Sequence, residues 1–246
     1  MTEDLLDRWL EATSLDPDRL TARRSDRVSR PETHKSYPGR ERVPLPRPPE
    51  LRPLPADLWQ VLARRRSRRE FSGGPVALED LAALLWACQG VTARHGPYLL
   101  RTAPSAGALY PFETYVSVQS VSGIEPCLAH LHVPDFALEI LSPGHHGRRI
   151  ALAALAQGFL QRASVVVLWT AVYPRAAWKY GHRAMRYIGM DLGHVCQNLT
   201  LAAEALGLGC CPVAAFFDPE MDDVLGVDGR DEFAYYLAAV GPLQKG

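Results

Sequence analysis

Arginine residues concentrate in one short run, Arg65-Arg66-Ser67-Arg68-Arg69. Guanidinium groups make planar, bidentate, permanently charged contacts to phosphate oxygens, and a serine hydroxyl adds a neutral donor. A second segment, Pro104-Ser105-Ala106-Gly107-Ala108, carries only small side chains, which allow a flat ring to lie close to the backbone. Together the two segments predict a site for the phosphate and ring of a flavin, and therefore a redox enzyme. Alone, the arginine run also fits a solvated surface or a nucleic-acid patch.

Two further motifs follow along the chain, Trp178-Lys179-Tyr180-Gly181-His182-Arg183 and Gly193-His194-Val195-Cys196-Gln197-Asn198-Leu199. In order and spacing, the four motifs resemble the SagB-type azoline dehydrogenases of the nitroreductase-like FMN superfamily. The resemblance extends from about Leu10 to Gly241. It implies a nitroreductase-like α+β fold, with an antiparallel-rich central sheet flanked by helices. It also implies a homodimer with FMN at the subunit interface.

The same resemblance implies which residues hold FMN. The residues expected to bind the phosphate and polar edge are Arg65, Arg66, Ser67 and Arg69, whereas Arg68 is expected to face solvent. The ring is approached from the other subunit by Pro104, Ser105, Ala106, Gly107 and Ala108. The flavin edge is lined by Pro212, Val213, Ala214 and Ala215. Relatives often place a basic residue where this chain has Phe159, so Lys245 or Arg183 is the expected substitute for stabilising the reduced anionic flavin.

Gln157 lies in an otherwise apolar helical turn, between residues 152 and 160, shortly before a strongly apolar segment. A buried amide needs hydrogen-bond partners, and the flavin's pyrimidine edge offers both a donor and an acceptor. Gln157 is therefore a candidate flavin ligand. The alternative is a core glutamine satisfied by the protein.

Lys179 and Tyr180 match a Lys-Tyr pair that the azoline dehydrogenases use in catalysis. Converting a thiazoline or oxazoline to its azole removes a hydride and a proton from adjacent carbons. The hydride would pass to FMN, and a general base would take the proton. The hypothesis is that Lys179 is neutral, because burial and the start of a helix both disfavour its charged form, and that it abstracts the ring proton. Tyr180 would orient the amine or relay the proton. The alternative is a surface lysine beside an amphipathic tyrosine.

Three functions follow as expectations. The first is an FMN-dependent dehydrogenase acting on a peptide- or carrier-bound thiazoline or oxazoline, with oxygen as the final electron acceptor. The second is an NAD(P)H-dependent nitro- or quinone-reductase on the same scaffold. The third is a non-catalytic scaffold subunit of a cyclodehydratase complex. The run Cys127-Leu128-Ala129-His130 departs from relatives at a place where substrate contacts are expected.

Composition narrows the class of protein. The chain has 246 residues, of which 47% are hydrophobic and 22% charged, as in soluble globular proteins. The formal net charge is zero, so no overall field attracts nucleic acid or an anionic membrane. The acidic, amphipathic N-terminus does not read as an export signal, which predicts a cytoplasmic protein without membrane spans. The five cysteines have no paired Cys-x-x-Cys spacing, so packing roles are expected rather than a metal site.

The chain divides into an N-terminal helix with an extended Pro/Arg-rich arm, residues 1–53, and an FMN-binding domain, residues 54–246. The arm either wraps a partner subunit or is a disordered leader. Apolar spacing predicts a helix leading from about Leu54 into the arginine run, a second helix over 78–89, and a long helix over 183–206 that is buried nearly all round.

Strands are predicted over six segments. Residues 113–121 alternate as in a half-buried strand, and 127–133 with 136–141 form a hairpin. Residues 164–172 are almost continuously apolar, which predicts the centre of the sheet. Residues 210–216 and 233–240 supply further strands.

Overall fold

A seven-stranded, entirely antiparallel sheet lies at the centre of the computed structural model, which describes residues 2–14, 31–47 and 56–244. Its strand order is β1-β6-β5-β4-β7-β9-β8. The strands are β1 (Arg42–Pro44), β4 (Phe112–Val118), β5 (Cys127–His132), β6 (Ala137–Pro143), β7 (Val165–Val172), β8 (Gly209–Val213) and β9 (Glu232–Gly241). A separate hairpin pairs β2 (Val91–His95) with β3 (Tyr98–Arg101).

Helices cover both faces of this sheet. They are α1 (Thr2–Thr13), α2 (Leu58–Arg64), α3 (Leu78–Gln89), α4 (Gly147–Ala153), α5 (Phe159–Arg162), α6 (Pro174–Tyr180), α7 (Ala184–Ala205) and α8 (Asp218–Leu225). Helices α3 and α7 pack on one face, where Leu85 and Leu192 join a core with Trp169 of β7. Helices α4, α5 and α8 pack on the other face, where Ile150 and Leu160 join a second core. This arrangement confirms the predicted fold class.

Several predicted elements are confirmed. Helix α3 has the predicted bounds, and α7 differs from its prediction by one residue at each end. The hairpin between β5 and β6 and the apolar strand β7 are also present. All five cysteines are buried and free, and burial raises the pKa of Cys127 to about 11 and of Cys196 to about 12. These thiols therefore pack as small hydrophobic groups.

Other expectations are corrected. Every residue of β4 is buried, so this strand is covered on both faces, and it ends at Val118 instead of Val121. The middle of the sheet is β4, with β7 beside it. Strand β8 ends at Val213 rather than 216, so Ala214 and Ala215 follow the strand. Helix α7 is not buried all round, because Met190 and His194 lie on an exposed face.

The described part of the arm, residues 31–47, lies on its own protomer. Strand β1 pairs with β6, and Lys35 and Arg42 make ion pairs with Glu232 and Glu139. Residues 15–30 and 48–55, which include the start of the predicted helix at Leu54, lie outside the described residues. The division of the chain at residue 53 stays a prediction.

Helix α1 is attached through its last turn. Arg183 of the turn before α7 donates to the Thr13 carbonyl at 2.7 Å, and Arg186 donates to Thr13 Oγ1 at 2.8 Å. The Arg186 guanidinium also lies 4.3 Å from the centroid of the Trp9 ring. In the described ranges, no helix combines the length and the apolar character that a membrane span requires.

Candidate functional site

The arginine run lies along the edge strand β8. Helix α2 ends at Arg64, and the chain then extends, so that Ser67 pairs with Cys210 in a parallel bridge and the Arg68 N–H donates to the Cys210 carbonyl at 2.9 Å. Because β8 is the last strand of the sheet, its free edge is available for this pairing. The backbone of β8 therefore fixes the position from which the arginines project.

Arg66, Ser67 and Arg69 are exposed, whereas Arg65 is half-buried. Arg68, which was expected to face solvent, is also half-buried, because its peptide is the one bonded to β8. Among the ion pairs of the described residues, none involves an arginine of this run. Arg66 Nη1 donates to the Ala63 and Arg65 carbonyls at 3.0 and 2.7 Å, but no carboxylate of the described ranges neutralises its charge or that of the other arginines, so the run can still attract an external anion.

Residues from three predicted segments meet around this run, and we call them the arginine cluster. It comprises Arg65, Arg66, Ser67, Arg69, Gln157 and Pro212–Ala215. The Gln157 Nε2 donates to the Ala154 carbonyl at 2.9 Å and to the Ala215 carbonyl at 3.2 Å. Gln157 lies between α4 and α5, after Leu155 and Ala156, which both have left-handed backbone angles. The amide is thus partly satisfied by the protein, and its Oε1 has no hydrogen bond from the described residues.

Phe159 stands where relatives often have a basic residue, and the structure puts a cation next to it. The Arg69 guanidinium lies 5.6 Å from the centroid of the Phe159 ring. Arg183, one expected substitute, is instead bonded to Tyr187 and Thr13. Lys245, the other, lies outside the described residues. Arg69 is therefore the basic group that the fold brings to this position.

The second group of predicted residues forms around a strained loop, and we call it the loop cluster. It comprises Pro104–Ala108, Lys179 and Tyr180. Gly107, Ala108 and Tyr110 have φ angles of 63°, 54° and 45°. A methyl group placed on Gly107 would lie 2.5 Å from Tyr180 Oη and 2.7 Å from Lys179 Nζ. Glycine is thus required both by its backbone angle and by the two side-chain ends beside it.

The structure corrects the physical reasons given for Lys179 as a base. Lys179 is exposed in the protomer and lies in the last turn of α6, where backbone carbonyls favour a positive charge. The Tyr180 ring is half-buried and packs edge-on against Tyr187 at 4.8 Å between centroids. Its hydroxyl and the lysine amine therefore meet at Gly107, with the amine open to solvent.

Two buried charged residues at the loop were missed by the sequence reasoning. Asp191 of α7 is 4% exposed and accepts hydrogen bonds from Ser105 Oγ at 2.6 Å and the Ala106 N–H at 3.2 Å. Burial raises the pKa of Asp191, although both hydrogen bonds act in the opposite direction. Arg101 of β3 is 8% exposed, and its guanidinium lies 4.3 Å from the Tyr110 ring centroid. Burial lowers the pKa of Arg101 to about 10. The sequence signal that could have identified both residues is a charged residue within an otherwise apolar pattern.

The two clusters are separate in the protomer. Among the described residues, the two clusters share no hydrogen bond, ion pair or ring contact. The loop cluster is attached to the first half of α7 through Asp191, whereas the arginine cluster is attached to β8, beyond the C-terminal end of that helix. A cavity of about 260 Å³, lined by residues that include Trp86, Arg94 and Phe136, contains none of the predicted site residues. Both clusters are largely open surfaces.

The run Cys127–His130, where substrate contacts were expected, is buried in β5. His130 Nε2 lies 2.9 Å from Glu113 and Nδ1 lies 3.0 Å from Glu139. These residues belong to a set that we call the ionic network: Lys35, Tyr37, Arg42, Glu113, Tyr115, His130, Glu139, Arg175 and Glu232. It lies between the sheet and the arm. In this protomer, the residues that depart from relatives therefore contribute to the core and the ionic network rather than to a substrate surface.

The arginine cluster fits a flavin phosphate in its donor chemistry. It combines three exposed or half-exposed guanidinium groups without carboxylate partners in the described residues, a serine hydroxyl and the exposed backbone at Ala214 and Ala215. The loop cluster fits a ring in its shape, because Pro104 and Gly107 are exposed and present no long side chain. Each cluster offers one part of a flavin site.

The chain belongs to the nitroreductase family, whose family model matches residues 62–242. A Methanocaldococcus jannaschii protein named as a nitroreductase, MJ1384, is 40% identical over 75% of this chain and 90% of its own length. The protein is therefore a member of a flavin oxidoreductase family, and this membership agrees with the donor chemistry of the arginine cluster.

Two other similar proteins carry names that concern peptide products. The trifolitoxin-processing protein TfxB of Rhizobium leguminosarum bv. trifolii is 30% identical over 54% of this chain, which spans 37% of that protein's length. A chain of the E. coli microcin synthetase McbBCD complex, with truncated pro-MccB17 bound, superposes with a TM-score of 0.62 over 99% of this chain and 93% of its own. At 18% identity, this second likeness concerns the fold alone.

Proposed function

We propose that the protein is an FMN-dependent dehydrogenase that oxidises a peptide- or carrier-bound thiazoline or oxazoline to the azole. The observation that carries the proposal is the contact among Gly107, Lys179 and Tyr180. Residues that lie far apart in the sequence meet here, because Tyr180 Oη and Lys179 Nζ lie 2.5 and 2.7 Å from the position that a Cβ atom on Gly107 would take. Gly107 is expected to face a flavin ring, and the other two residues are expected to move a proton. A reductase of nitro groups or quinones does not need a base at that place.

Each cluster has a distinct task in this proposal. Arg65, Arg66 and Ser67 bind the phosphate, and Arg69 supplies positive charge beside the ring. When bound, FMN would supply the acceptor for the hydride that leaves the azoline ring carbon. The Lys179 amine, which is exposed in the protomer, would be covered by the partner subunit and the substrate in this dimer, where it takes the proton from the adjacent carbon. The Tyr180 hydroxyl orients the amine beside Gly107. The loop presents its small side chains so that substrate, ring and base come into contact.

The separation of the clusters supports a homodimer in which each flavin lies between an arginine cluster of one protomer and a loop cluster of its partner. Eight of the eleven exposed large hydrophobic side chains of the described residues lie on α1, α2 and α7: Leu5, Leu6, Trp9, Leu10, Leu58, Trp59, Leu62 and Met190. Because α1 and α2 both contact α7, these side chains lie on neighbouring helices, and exposed apolar groups gathered in this way are typical of an interaction surface. In the proposed homodimer, this surface would lie between the two copies.

One of these similar proteins is named for the processing of trifolitoxin, and the other belongs to a synthetase complex with truncated pro-MccB17 bound. Both names support a role in processing a precursor, and the second supports work within a multi-protein assembly. Under this proposal, the substrate arrives as a heterocycle already formed on a peptide or carrier. The exposed loop cluster leaves room for such a large substrate.

The proposal is tested by incubating FMN-loaded protein with azoline-containing peptides and measuring mass. We expect the loss of two hydrogens per heterocycle, and a Lys179→Ala variant with full FMN occupancy should lose most of this activity. A near-normal rate for that variant would reject the assignment of the base. A matched control is Lys35→Ala, which removes a lysine of the ionic network.

The 40% identical relative named as a nitroreductase favours a second function, the reduction of a nitro compound or quinone by NAD(P)H. The two functions differ in their electron donor. Rapid bleaching of bound flavin by NADH or NADPH, with no bleaching by azoline peptides, would establish the reductase and overturn the dehydrogenase.

A further inference from the structure

Asp191 is a buried carboxylate that touches the loop cluster from behind. Its Oδ2 accepts from Ser105 Oγ at 2.6 Å, and its Oδ1 accepts from the Ala106 N–H at 3.2 Å. Ser105 Oγ in turn accepts from the Tyr110 N–H at 2.9 Å. One carboxylate therefore bonds the start of the loop directly and its end through a single hydroxyl.

The loop needs such a restraint, because its backbone is unfavourable. Ala108 and Tyr110 both have left-handed φ angles, a conformation that is unfavourable for L-residues with a side chain. Local hydrogen bonds are few, the main one being from the Ala108 N–H to the Ser105 carbonyl at 3.0 Å. At the far end, the Arg101 N–H donates to Tyr110 Oη at 2.9 Å, and Arg101 stacks on that ring. Contacts from outside the loop thus maintain its shape.

We propose that Asp191 is a positioning residue that fixes the Ser105–Tyr110 loop, and through it the surface offered to the flavin ring and the gap that Lys179 and Tyr180 occupy. The inference rests on the proposed function, because it assigns the loop to a flavin. It goes further in naming the group on which the geometry of the loop cluster depends. Asp191 lies on the rigid helix α7, so the loop takes its position from the core.

One consequence concerns Ser105 itself. Its hydroxyl hydrogen is donated to Asp191, and one of its lone pairs accepts from Tyr110. The hydroxyl therefore has no hydrogen to donate to a ligand, and Ser105 contributes to the site through loop geometry. Replacing Ser105 should then mimic the replacement of Asp191, because both changes break the same connection.

The test compares the binding of FMN with that of riboflavin, which lacks the phosphate, in Asp191→Asn and Ser105→Ala variants of the full chain. The asparagine side chain would keep the shape of the aspartate while losing its charge and one acceptor. We expect both variants to weaken both ligands by the same factor, on the order of tenfold or about 1.4 kcal/mol. We also expect the visible circular dichroism of the bound flavin to change. Arg65→Ala, which removes a proposed phosphate ligand, should weaken FMN more than riboflavin.

Asp222→Asn is the matched control. Asp222 is also a buried aspartate on a helix, 8% exposed, and it accepts the Ala234 N–H at 2.6 Å, away from both clusters. Its replacement should lower stability without changing the affinity for FMN or for riboflavin and without changing the circular dichroism of the bound flavin. If Asp191→Asn behaves like Asp222→Asn, the role of Asp191 is merely structural and the inference is overturned. If Asp191→Asn does not fold, Ser105→Ala decides by the same measurements.

Amide hydrogen exchange separates this inference from the proposed function. Without any flavin, Asp191→Asn should speed the exchange of the Ala106 and Tyr110 amides relative to wild type. If wild-type protein binds neither flavin, the proposed function fails, while the exchange rates still show whether Asp191 fixes the loop. Unchanged exchange together with unchanged riboflavin affinity would refute the role assigned to Asp191.

Discussion

The ionic network and the arginine cluster both concentrate charge, but they treat it in opposite ways. In the network, His130 and Glu139 are fully buried, and each carboxylate has cationic or N–H partners within about 3 Å. In the arginine cluster, the guanidinium groups are largely exposed and have no carboxylate partner in the described residues. The buried charges of the ionic network are paired and hold the arm to the sheet. The surface charges of the arginine cluster have no carboxylate partner in those ranges and are available for a ligand.

The largest expected effect comes from a substitution that breaks the ionic network. Glu113→Gln removes the carboxylate that pairs with Arg175 at 2.6 Å and with His130 at 2.9 Å. The buried Arg175 charge would then have no carboxylate partner in the described part of the chain, and only its hydrogen bond to the Glu32 carbonyl at 2.8 Å would remain. We expect unfolding free energy to fall by about 3–5 kcal/mol, measured by urea denaturation. The control is Asp135→Asn, whose exposed pair with Arg42 should contribute less than about 1 kcal/mol. Equal losses would remove the distinction between buried and exposed charge.

The next effect concerns the arginine cluster. Arg69→Ala should weaken FMN binding by roughly 10- to 100-fold, because a hydrogen bond to a charged group contributes about 1.5–3 kcal/mol. Unfolding free energy should stay within about 0.5 kcal/mol of wild type. Flavin fluorescence titration measures the first and urea denaturation the second. Arg64→Ala, which removes an exposed arginine bonded to Gln60, should change neither. A stability loss without an affinity loss in Arg69→Ala would contradict the account.

A smaller effect tests the loop cluster. Gly107→Ala would place a methyl group against Tyr180 Oη and Lys179 Nζ, so these side chains must move. We expect azoline oxidation to fall on the order of tenfold. Gly96→Ala is the control, since Gly96 has a similar φ of 57° and nothing within 4 Å of an added methyl group. Gly96→Ala should introduce only the backbone strain of a residue with positive φ, and its rate of azoline oxidation should equal that of wild type. If both variants turn over alike, the contact with Lys179 and Tyr180 has no catalytic consequence.

The last prediction concerns acid. The Arg175 charge and the His130 hydrogen bond lower the pKa of Glu113 from 4.5 to about 2 despite its burial, and His130 and Arg42 also lower the pKa of Glu139. Both carboxyls bind protons more readily in the unfolded chain, so their stabilisation is present above about pH 4.5 and is lost as pH falls toward 2. Urea denaturation between pH 6 and 3 should show this decline, and Glu113→Gln should flatten it. A decline of equal slope in the variant would assign the acid sensitivity elsewhere.

Local patterns were sufficient for much of the fold. Periodicity predicted α3 and α7, and continuous apolar residues predicted β7, because each pattern follows from burial of one element. The small hairpin of β2 and β3 was not predicted, because β2 is exposed over four of its five residues and so carries little burial pattern. The ionic network was also missed, because it joins Lys35, Glu113 and Glu232, which only the sheet topology brings together.

The candidate site shows the same limit. Motif order predicted the members of both clusters, and the structure brings Gln157 to Ala215 and Gly107 to Lys179 as contacts. The environment of Lys179 was predicted wrongly, because α6 ends at Tyr180 and a separate helix begins at Ala184. Asp191 carries no motif, and its role depends on a hydrogen bond across 86 positions of the chain.

A mixing experiment tests the central claim, that one flavin site combines clusters from two protomers. An Arg66→Ala/Arg69→Ala variant and a Gly107→Phe variant should each bind little FMN. After the two are mixed and allowed to exchange subunits, half of the dimers are mixed, and each mixed dimer has one intact site. The account predicts about one FMN bound per four protomers by absorbance after gel filtration. No recovery of bound FMN, with subunit exchange verified by mass spectrometry, would contradict it.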